Sequence, residues 1–364
     1  MKMFRLARQM RKERQDVIGT KYVRKEDGAI VVEEENVLRR WKEYFSHLLN
    51  EQNDFNQEIM MCVEGPIEEI SHEEVDRAMK GMKQEKALGM TGVNTEMLVN
   101  AGSVGLEVLV RVFQEAAVEG IPEDWQNSIT IPIYKGKGNA LQCAKHRGIR
   151  LPEHTMKIYE KVLEFKLRQI VQISGHQFGF VPGRSTIDAI FIMRQLQEKM
   201  TEKKKRLFHI FVDLEKAFDR VPREVIQWAL RRQLVPERLV RQVMDLYRGS
   251  KSRVRTVAGM SEEFEISVGV HQGSPLSPLL FVTVMEEATK ECGEGGLWEL
   301  LYADDLVVTA ETKQEVIEKF EKWRTALEEH GLRVNMDKTK VMVTGKEVQD
   351  RIKSGRWPCG VCCN

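Results

Sequence analysis

Apolar residues recur at intervals of three and four in many segments of the chain, which predicts amphipathic helices. Over 36–50 the apolar positions are Val37, Leu38, Trp41, Phe45, Leu48 and Leu49. The same period predicts helices over 105–120, 155–173, 186–200, 223–232, 237–247, 278–291 and 313–330. In addition, Ser71-His72-Glu73-Glu74 has the capping-box pattern that opens a helix.

Short apolar runs between these helices predict strands. Leu207–Val212 is apolar almost throughout, which is typical of a central strand covered on both faces. Residues 129–134 predict a further strand, 253–257 and 264–268 predict a strand pair, and 332–343 is expected to end in another strand. Residues 300–310 (LLYADDLVVTA) predict a strand, a tight turn and a second strand. Strands and helices mixed in this order predict an α+β fold, with an antiparallel sheet and helices packed on one face.

Composition excludes several classes of protein. The 364 residues are 42% hydrophobic and 30% charged, as in a globular protein rather than a disordered one. No apolar run is long enough to predict a membrane span, and the basic N-terminus lacks the apolar segment of a signal peptide. Six cysteines without framework spacing indicate a reducing compartment. We therefore expect an intracellular protein, cytoplasmic or nuclear, that does not associate with membranes.

The formal net charge of +1 conceals a strongly basic block. Residues 135–255 contain 27 Lys and Arg against 12 Asp and Glu, a net charge of +15. Such an excess suggests a polyanionic partner. Solvated helix faces would produce the same composition, so charge alone leaves both interpretations open.

Three carboxylates occupy positions that suggest chemistry. Asp213 follows the apolar strand directly, and Asp304 and Asp305 lie at the tip of the apolar hairpin. An isolated Asp-Asp pair is typical of a solvated turn. At an apolar tip, however, two adjacent ionised carboxylates repel each other, and bound divalent cations would relieve that repulsion. Two cations about 3.5–4 Å apart are a common device for in-line phosphoryl transfer. The sequence therefore predicts a metal site made by these three residues.

Six motifs in order resemble the reverse transcriptases of non-LTR (LINE-type) retrotransposons. Three resemble polymerase motifs: FVDLEKAFDRV (211–221), HQGSPLSPLLF (271–281) and YADD (302–305). The others are IPIYKGKGNALQCAKHRGIRL (131–151), GFVPGRSTIDAI (179–190) and GLRVNMDKTKVM (331–342). The resemblance covers roughly 130–345, and the helix around Arg39-Arg40-Trp41-Lys42 resembles the stretch that precedes this domain.

The resemblance implies a right-hand polymerase with fingers and palm. Residues 1–114 would form a helical N-terminal extension, 115–346 the fingers and palm, and 347–364 a tail. The implied activity is RNA-directed DNA synthesis, in which dNTPs extend a DNA primer on an RNA template. Asp213 and Asp304 would bind Mg²⁺, with Mn²⁺ as a substitute, and Asp305 would complete the acidic cluster.

The resemblance also implies a nucleotide site. Phe218 would stack under the sugar and exclude a 2′-OH, although a plain core phenylalanine is the alternative. Gln272 and Gly273 would lie in the loop that supports the template base and the incoming nucleotide. Basic residues would contact the triphosphate or, for the last of them, protonate pyrophosphate; these are Arg147, Arg184, Lys135 and Lys340. A solvated loop lysine is the alternative for Lys135.

Departures from the family pattern lead to a second hypothesis. His146 replaces a usual tyrosine, and Gly89-Met90-Thr91-Gly92 replaces a Gly-Pro-Asp-Gly turn. We expect no nuclease domain, little or no thumb, and a disordered tail whose Cys359-Gly360-Val361-Cys362 is only half of a zinc knuckle. A truncated remnant that only binds nucleic acid is therefore the alternative to an active polymerase. Phe218 argues against an RNA-dependent RNA polymerase.

Overall fold

A computed structural model describes residues 21–53, 55, 62–65, 69–293, 298–345 and 362–363. The α+β class predicted from the sequence is confirmed, with helices and strands mixed along the chain. The basic segment 1–20 lies outside the described residues, as does most of the expected tail. Of that tail, Cys362–Cys363 is described and forms a short strand.

The strands are β1 (Val23–Arg24), β2 (Ile30–Val31), β3 (Asn127–Tyr134), β4 (His146–Leu151), β5 (Leu207–Val212), β6 (Lys251–Thr256), β7 (Gly259–Met260), β8 (Phe264–Glu265), β9 (Glu299–Tyr302), β10 (Asp305–Ala310), β11 (Lys340–Thr344) and β12 (Cys362–Cys363). The helices are α1 (Glu34–Leu48), α2 (His72–Lys80), α3 (Thr95–Asn100), α4 (Gly102–Glu119), α5 (Glu123–Gln126), α6 (His154–Arg168), α7 (Thr186–Glu202), α8 (Ala217–Arg220), α9 (Arg223–Arg232), α10 (Glu237–Asp245), α11 (Ser277–Thr289) and α12 (Lys313–Glu329).

The first sheet is built around β5. Its strand order is β12-β11-β5-β10-β9, and all neighbours are antiparallel except β11 and β12. One face of the sheet contributes to the larger core through Ile210, Val212, Leu306, Val308 and Val341. Helices α9, α11 and α12 pack into the same core.

The end of β5 differs from the prediction. The apolar sequence indicated a strand covered on both faces, and Leu207 and His209 are buried as expected, but Phe211, on the same face as these two, is 37% exposed. Asp213, two residues later, lies on that same side because side chains alternate along a strand. The sequence could not show this, because an apolar residue near the end of a strand is buried or exposed according to what packs against it.

The second sheet contains β3, β4, β6 and β7 in the order β4-β3-β6-β7, and β8 also pairs with β6. Strands β3 and β6 are parallel, whereas the other pairs are antiparallel. Among the described residues, no helix is both long enough and apolar enough to span a membrane.

Helix α1 packs on the second sheet and forms a smaller core with it. Trp41 is 1% exposed, stacks on Phe45 at 5.8 Å between ring centroids, and meets the edge of His146 at 4.9 Å. His146 therefore keeps an aromatic contact where the family pattern has tyrosine. Val254 and Phe264 of the sheet belong to the same cluster. Helix α1 thus shares its core with the sheet.

We expect Trp41→Ala to destabilise the protein by about 3–5 kcal/mol, because it removes a buried indole and leaves a cavity. Chemical denaturation monitored by circular dichroism measures this change. Arg39→Ala on the exposed side of the same helix is the control and should change stability by less than about 0.5 kcal/mol. Equal midpoints for the two variants would mean that α1 contributes little to the core.

Candidate active site

The backbone pairing of β5 with β10 determines where the acidic residues meet. Leu306 pairs with Val212 in antiparallel register. Continuing this register by one residue brings Asp305 beside Asp213, at the end of β5. Asp304 precedes Asp305 in the turn that joins β9 to β10, where Asp305 pairs with Tyr302. The three carboxylates predicted from the sequence therefore lie together at one end of the paired strands β5 and β10.

The hairpin tip is held in an uncommon backbone conformation by Gln177. Ala303 has φ of 58°, in the left-handed region that non-glycine residues rarely adopt. The Oε1 atom of Gln177 accepts hydrogen bonds from the backbone N–H groups of Ala303 at 2.9 Å and Gly179 at 2.8 Å. Gln177 is 1% exposed. A buried side chain thus fixes the turn that carries Asp304.

The segment around Gln177 lies very close to this turn. A Cβ atom on Gly179 would come within 2.2 Å of the backbone nitrogen of Ala303, so only glycine fits there. Nη1 of Arg184 donates to the backbone carbonyls of Ser174 at 2.6 Å and Gln177 at 2.7 Å. This nitrogen of Arg184, a predicted triphosphate contact, is therefore committed to holding the loop.

Electrostatics couples the three carboxylates. Partial desolvation raises the pKa of Asp305, and the negative charges of Asp304 and Asp213 raise it further. This effect requires the charges to be close to one another. The site is therefore one at which negative charge accumulates and a cation would be stabilised.

One of the three carboxylates, that of Asp213, already forms an ion pair with a lysine. Nζ of Lys338 lies 2.9 Å from Oδ1 of Asp213. The segment that carries it is held against the end of β5, because the backbone N–H of Asn335 donates to the carbonyl of Asp213 at 2.7 Å. The lysine predicted from the sequence was Lys340. It lies opposite Phe211 in β11 and is half-buried.

The donor set has the right chemistry for Mg²⁺ or Mn²⁺, which prefer carboxylate oxygens. No group of three or more His, Cys, Asp or Glu side chains within the described ranges is arranged as a metal site. The Asp213 carboxylate instead faces the ammonium group of Lys338. The carboxylate oxygens are ligands that these ions prefer, and a cation there would have to compete with Lys338 for Asp213.

Phe218 lies in the short helix α8 that follows Asp213. Its ring stacks on Phe281 of α11, with centroids 4.3 Å apart and planes at 21°, and Phe180 contacts it edge-on at 6.1 Å. Phe218 is only partly buried. One side of the ring is therefore packed like a core residue while part of the ring remains accessible, so both interpretations from the sequence have a basis in the structure.

The loop with Gln272 and Gly273 is fixed through its backbone. The N–H of Arg150 donates to the carbonyl of Gln272 at 2.9 Å. Gly273 has φ of +113°, and a Cβ there would come within 2.9 Å of the carbonyl oxygen of Arg150. Nε2 of Gln272 donates to Oδ1 of Asp219 at 2.7 Å. The predicted nucleotide loop is thus anchored both to β4 and to the chain segment after Asp213.

Basic side chains of the second sheet lie near Asp219, the residue that holds this loop. Lys135 and Arg147 are exposed at the ends of β3 and β4. Desolvation lowers the pKa of Lys135, and the positive charges of Arg147 and Lys338 lower it further. These residues therefore form one positive region, adjacent to the lysine that contacts Asp213.

Acidic partners within the protein neutralise part of the basic block at 135–255. Ion pairs with acids outside the block include Lys166–Glu74, Lys205–Glu311, Arg220–Glu51, Arg232–Glu287 and Arg253–Glu263. Arg150 and Arg223 are buried. The excess of +15 therefore overstates the positive charge that faces solvent.

Sequence reasoning missed three residues at this site: Gln177, Lys338 and Asp219. Asp219 and Lys338 lie inside quoted motifs, so their position was an available signal. Gln177 lies just before the motif at 179–190, and nothing in its own sequence indicates that it binds a turn more than 100 residues away.

Comparisons with known proteins agree on a family. A model described as "Reverse transcriptase (RNA-dependent DNA polymerase)" matches residues 133–353. The chain is 26% identical over 244 residues to the retrovirus-related Pol polyprotein from the type-1 retrotransposable element R2 of Nasonia vitripennis, covering 64% of this chain and 24% of that protein. It is 25% identical over 273 residues to the probable RNA-directed DNA polymerase from transposon X-element of Drosophila melanogaster, covering 72% and 30%.

Among solved structures, the chain is similar to an apo telomerase from Candida tropicalis truncated from its C-terminal domain. The TM-score is 0.46 at 15% identity, over 63% of this chain and 52% of that one. In the sequence comparisons, the chain spans about a quarter to a third of the length of the two relatives, the R2 polyprotein and the X-element polymerase.

We expect Gln177→Leu to destabilise the protein by about 1–3 kcal/mol, because it leaves the buried N–H groups of Ala303 and Gly179 without an acceptor. Chemical denaturation provides the measurement. Gln314→Leu, at an exposed position of α12, removes a surface hydrogen bond to Glu318 and should have little effect. If Gln177→Leu is as stable as this control, the turn does not depend on the hydrogen bonds that Gln177 accepts from Ala303 and Gly179.

Proposed function

Because the chain belongs to the reverse transcriptase (RNA-dependent DNA polymerase) family, whose model matches residues 133–353, we propose that it is an RNA-directed DNA polymerase of the non-LTR, LINE type. It would extend the 3′-OH of a DNA primer with dNTPs on an RNA template. The observation that carries this proposal is the pairing of β5 with β10, which brings Asp305 beside Asp213 next to Asp304.

Asp213, Asp304 and Asp305 would hold the divalent cations, Mg²⁺ or Mn²⁺. When bound, such ions lower the pKa of the primer hydroxyl and neutralise charge on the leaving pyrophosphate. The raised pKa of Asp305 supports this role, because it reports mutual repulsion that a cation would relieve. Gln177 would keep the hairpin tip from moving while these carboxylates act.

The nucleotide would lie between the carboxylates and the positive region. Lys135 and Arg147 would contact the triphosphate, since both are exposed there. Phe218 would contact the sugar, and the backbone around Gln272 and Gly273 would support the base pair. Arg184 would act by supporting the loop at Gln177, and its remaining nitrogens could still contact a phosphate.

Two lysines are candidates for donating a proton to pyrophosphate. Lys340 was the residue suggested by the sequence, and it lies opposite Phe211 in β11. Lys338 is the stronger candidate, because its ammonium group already lies at 2.9 Å from Asp213. It would release Asp213 when cations bind and would then be free to approach the leaving group.

The polymerase subdomains follow from this assignment. The sheet around β5 would be the palm, and the sheet with β3 and β4 would belong to the fingers. The boundary proposed at 114/115 falls inside α4 (Gly102–Glu119), so the helix would cross from the N-terminal extension into the fingers. Helix α1 would be part of the fingers, because it shares their core.

The ion pair between Lys338 and Asp213 also favours a second candidate function. Because the ammonium group of Lys338 already pairs with Asp213, the carboxylates could stay together without a metal ion in a chain that binds nucleic acid but no longer catalyses synthesis. Such a protein would bind a primer–template duplex with a steep salt dependence and would extend no primer.

We expect the purified chain to extend an oligo(dT) primer on poly(rA) with Mg²⁺, and Asp304→Asn to reduce the rate by at least about 100-fold, because a metal ligand is lost. Asp76→Asn, at a half-exposed position in the middle of α2, is the control and should extend at the wild-type rate. Duplex binding is measured in parallel. Binding without extension by the wild type would support the second candidate instead.

We expect Phe218→Val to reduce the preference for dNTPs over rNTPs by about 10-fold or more, because it opens space for a 2′-OH. Competing single-nucleotide incorporations measure this ratio. Phe191→Val, at an exposed position of α7, should leave the ratio unchanged. An equal fall in both incorporations would identify Phe218 as a core residue stacked on Phe281.

A further inference from the structure

A buried acid next to the proposed nucleotide site has no role in the mechanism above. Asp219 is 9% exposed, and its Oδ1 accepts a 2.7 Å hydrogen bond from Nε2 of Gln272. It lies six residues after Asp213 and directly after Phe218. Its partner Gln272 is one of the predicted nucleotide-binding side chains.

The two segments are also joined through their backbones. The N–H of Val270 donates to the carbonyl of Phe218, and the N–H of Gly269 donates to that of Val221, both at 2.9 Å. Gly269 has φ of +80°, and a Cβ there would lie 2.5 Å from the carbonyl oxygen of Asp219. The backbone of the Gln272 loop is therefore fixed against Asp219, and the remaining freedom at Gln272 is in its side chain.

The Gln272 amide can present either its oxygen or its nitrogen to a ligand, and Asp219 decides which. An ionised carboxylate can only accept hydrogen bonds, so it must face the amide nitrogen. Within the described residues, Oε1 of Gln272 has no hydrogen-bond partner and is not buried, so it remains available for an N–H or O–H donor.

The charges around Asp219 favour the ionised form. Burial raises its pKa, and Lys216, the hydrogen bond from Gln272, Lys135 and Arg150 limit that rise, so that the pKa is about 6. Tyr44 also faces this group, and its hydroxyl accepts a hydrogen bond from Nζ of Lys216 at 2.6 Å. About two pH units above that value, nearly all of Asp219 is ionised.

We propose that Asp219 is a positioning residue for nucleotide selection. By holding Nε2 of Gln272, it directs the amide oxygen toward a donor group on the incoming nucleotide. This inference rests on the proposed polymerase function. It adds that Gln272 presents its amide oxygen, and not its amide nitrogen, to the nucleotide. The buried carboxylate of Asp219 determines this orientation.

The central test is a double-mutant cycle with Asp219→Asn and Gln272→Ala. Asparagine keeps the shape of Asp219 but can also donate a hydrogen bond, so the Gln272 amide can then rotate. Single-turnover dNTP titrations separate the apparent Kd from the rate of extension. We expect Asp219→Asn to raise the apparent Kd about 10-fold, as expected for a hydrogen bond to a charged group, with a nearly unchanged maximal rate.

In the Gln272→Ala background, Asp219→Asn should change the apparent Kd by less than about 2-fold, because the side chain it orients is absent. Additive effects in the cycle would overturn the proposal. So would a purely structural result, in which Asp219→Asn lowers the unfolding midpoint and the maximal rate while leaving the Kd unchanged.

A second measurement uses the wild-type chain and does not require activity. The side-chain amide signal of Gln272 in a ¹⁵N NMR spectrum is assigned by its loss in Gln272→Met. We expect its hydrogen exchange to be slower than that of an exposed glutamine such as Gln314. Exchange at the rate of the exposed residue would contradict the contact with Asp219. If the wild type fails to extend primers, the proposed function fails, whereas this measurement still decides whether Asp219 holds Gln272.

Discussion

The antiparallel pairing of β5 with β10 is the constraint on which the candidate site depends. It joins two parts of the chain about 90 residues apart and determines that Asp305 meets Asp213 rather than a neighbour. A slip of one residue would turn Leu306 and Val308 away from the core and the carboxylates toward it. The register is therefore enforced by the same apolar side chains that build the core, and the acidic residues follow from it.

Carboxylates brought together in this way repel each other, so the surrounding structure has to hold them. Two segments do so from opposite sides. Gln177 fixes the turn at Ala303, and the 335–339 segment holds the end of β5 through the backbone of Asp213 and the side chain of Lys338. Both supports come from outside the strands that carry the acids. They explain how a turn with a left-handed alanine can persist at a charged site.

The same pattern of support extends to the nucleotide side of the site. Arg150 is buried yet holds the Gln272 loop through its backbone, and its guanidinium donates to the hydroxyls of Ser128 and Ser250. Asp219 holds the loop from the other direction. The groups expected to touch a nucleotide are therefore few, and a larger number of buried polar groups determine where they point. Such a shell restricts motion at the site before any ligand arrives.

The sequence by itself determined the class of fold and the position of most elements, because the apolar period reports directly which face of each element is buried. The helices over 36–50 and 313–330 are examples, because their apolar stripes (Val37, Trp41 and Phe45; Val316, Phe320 and Trp323) are buried. The motif order indicated the family that the comparisons confirm. The acidic residues were identifiable because they interrupt apolar strands. What the tertiary structure alone decided are the contacts between distant segments. Gln177 beside Ala303, Lys338 on Asp213 and Asp219 on Gln272 each join residues between about 50 and 130 positions apart. No local pattern encodes such pairs, because hydrogen bonds between side chains depend on how the sheets and helices pack and not on the period along either segment.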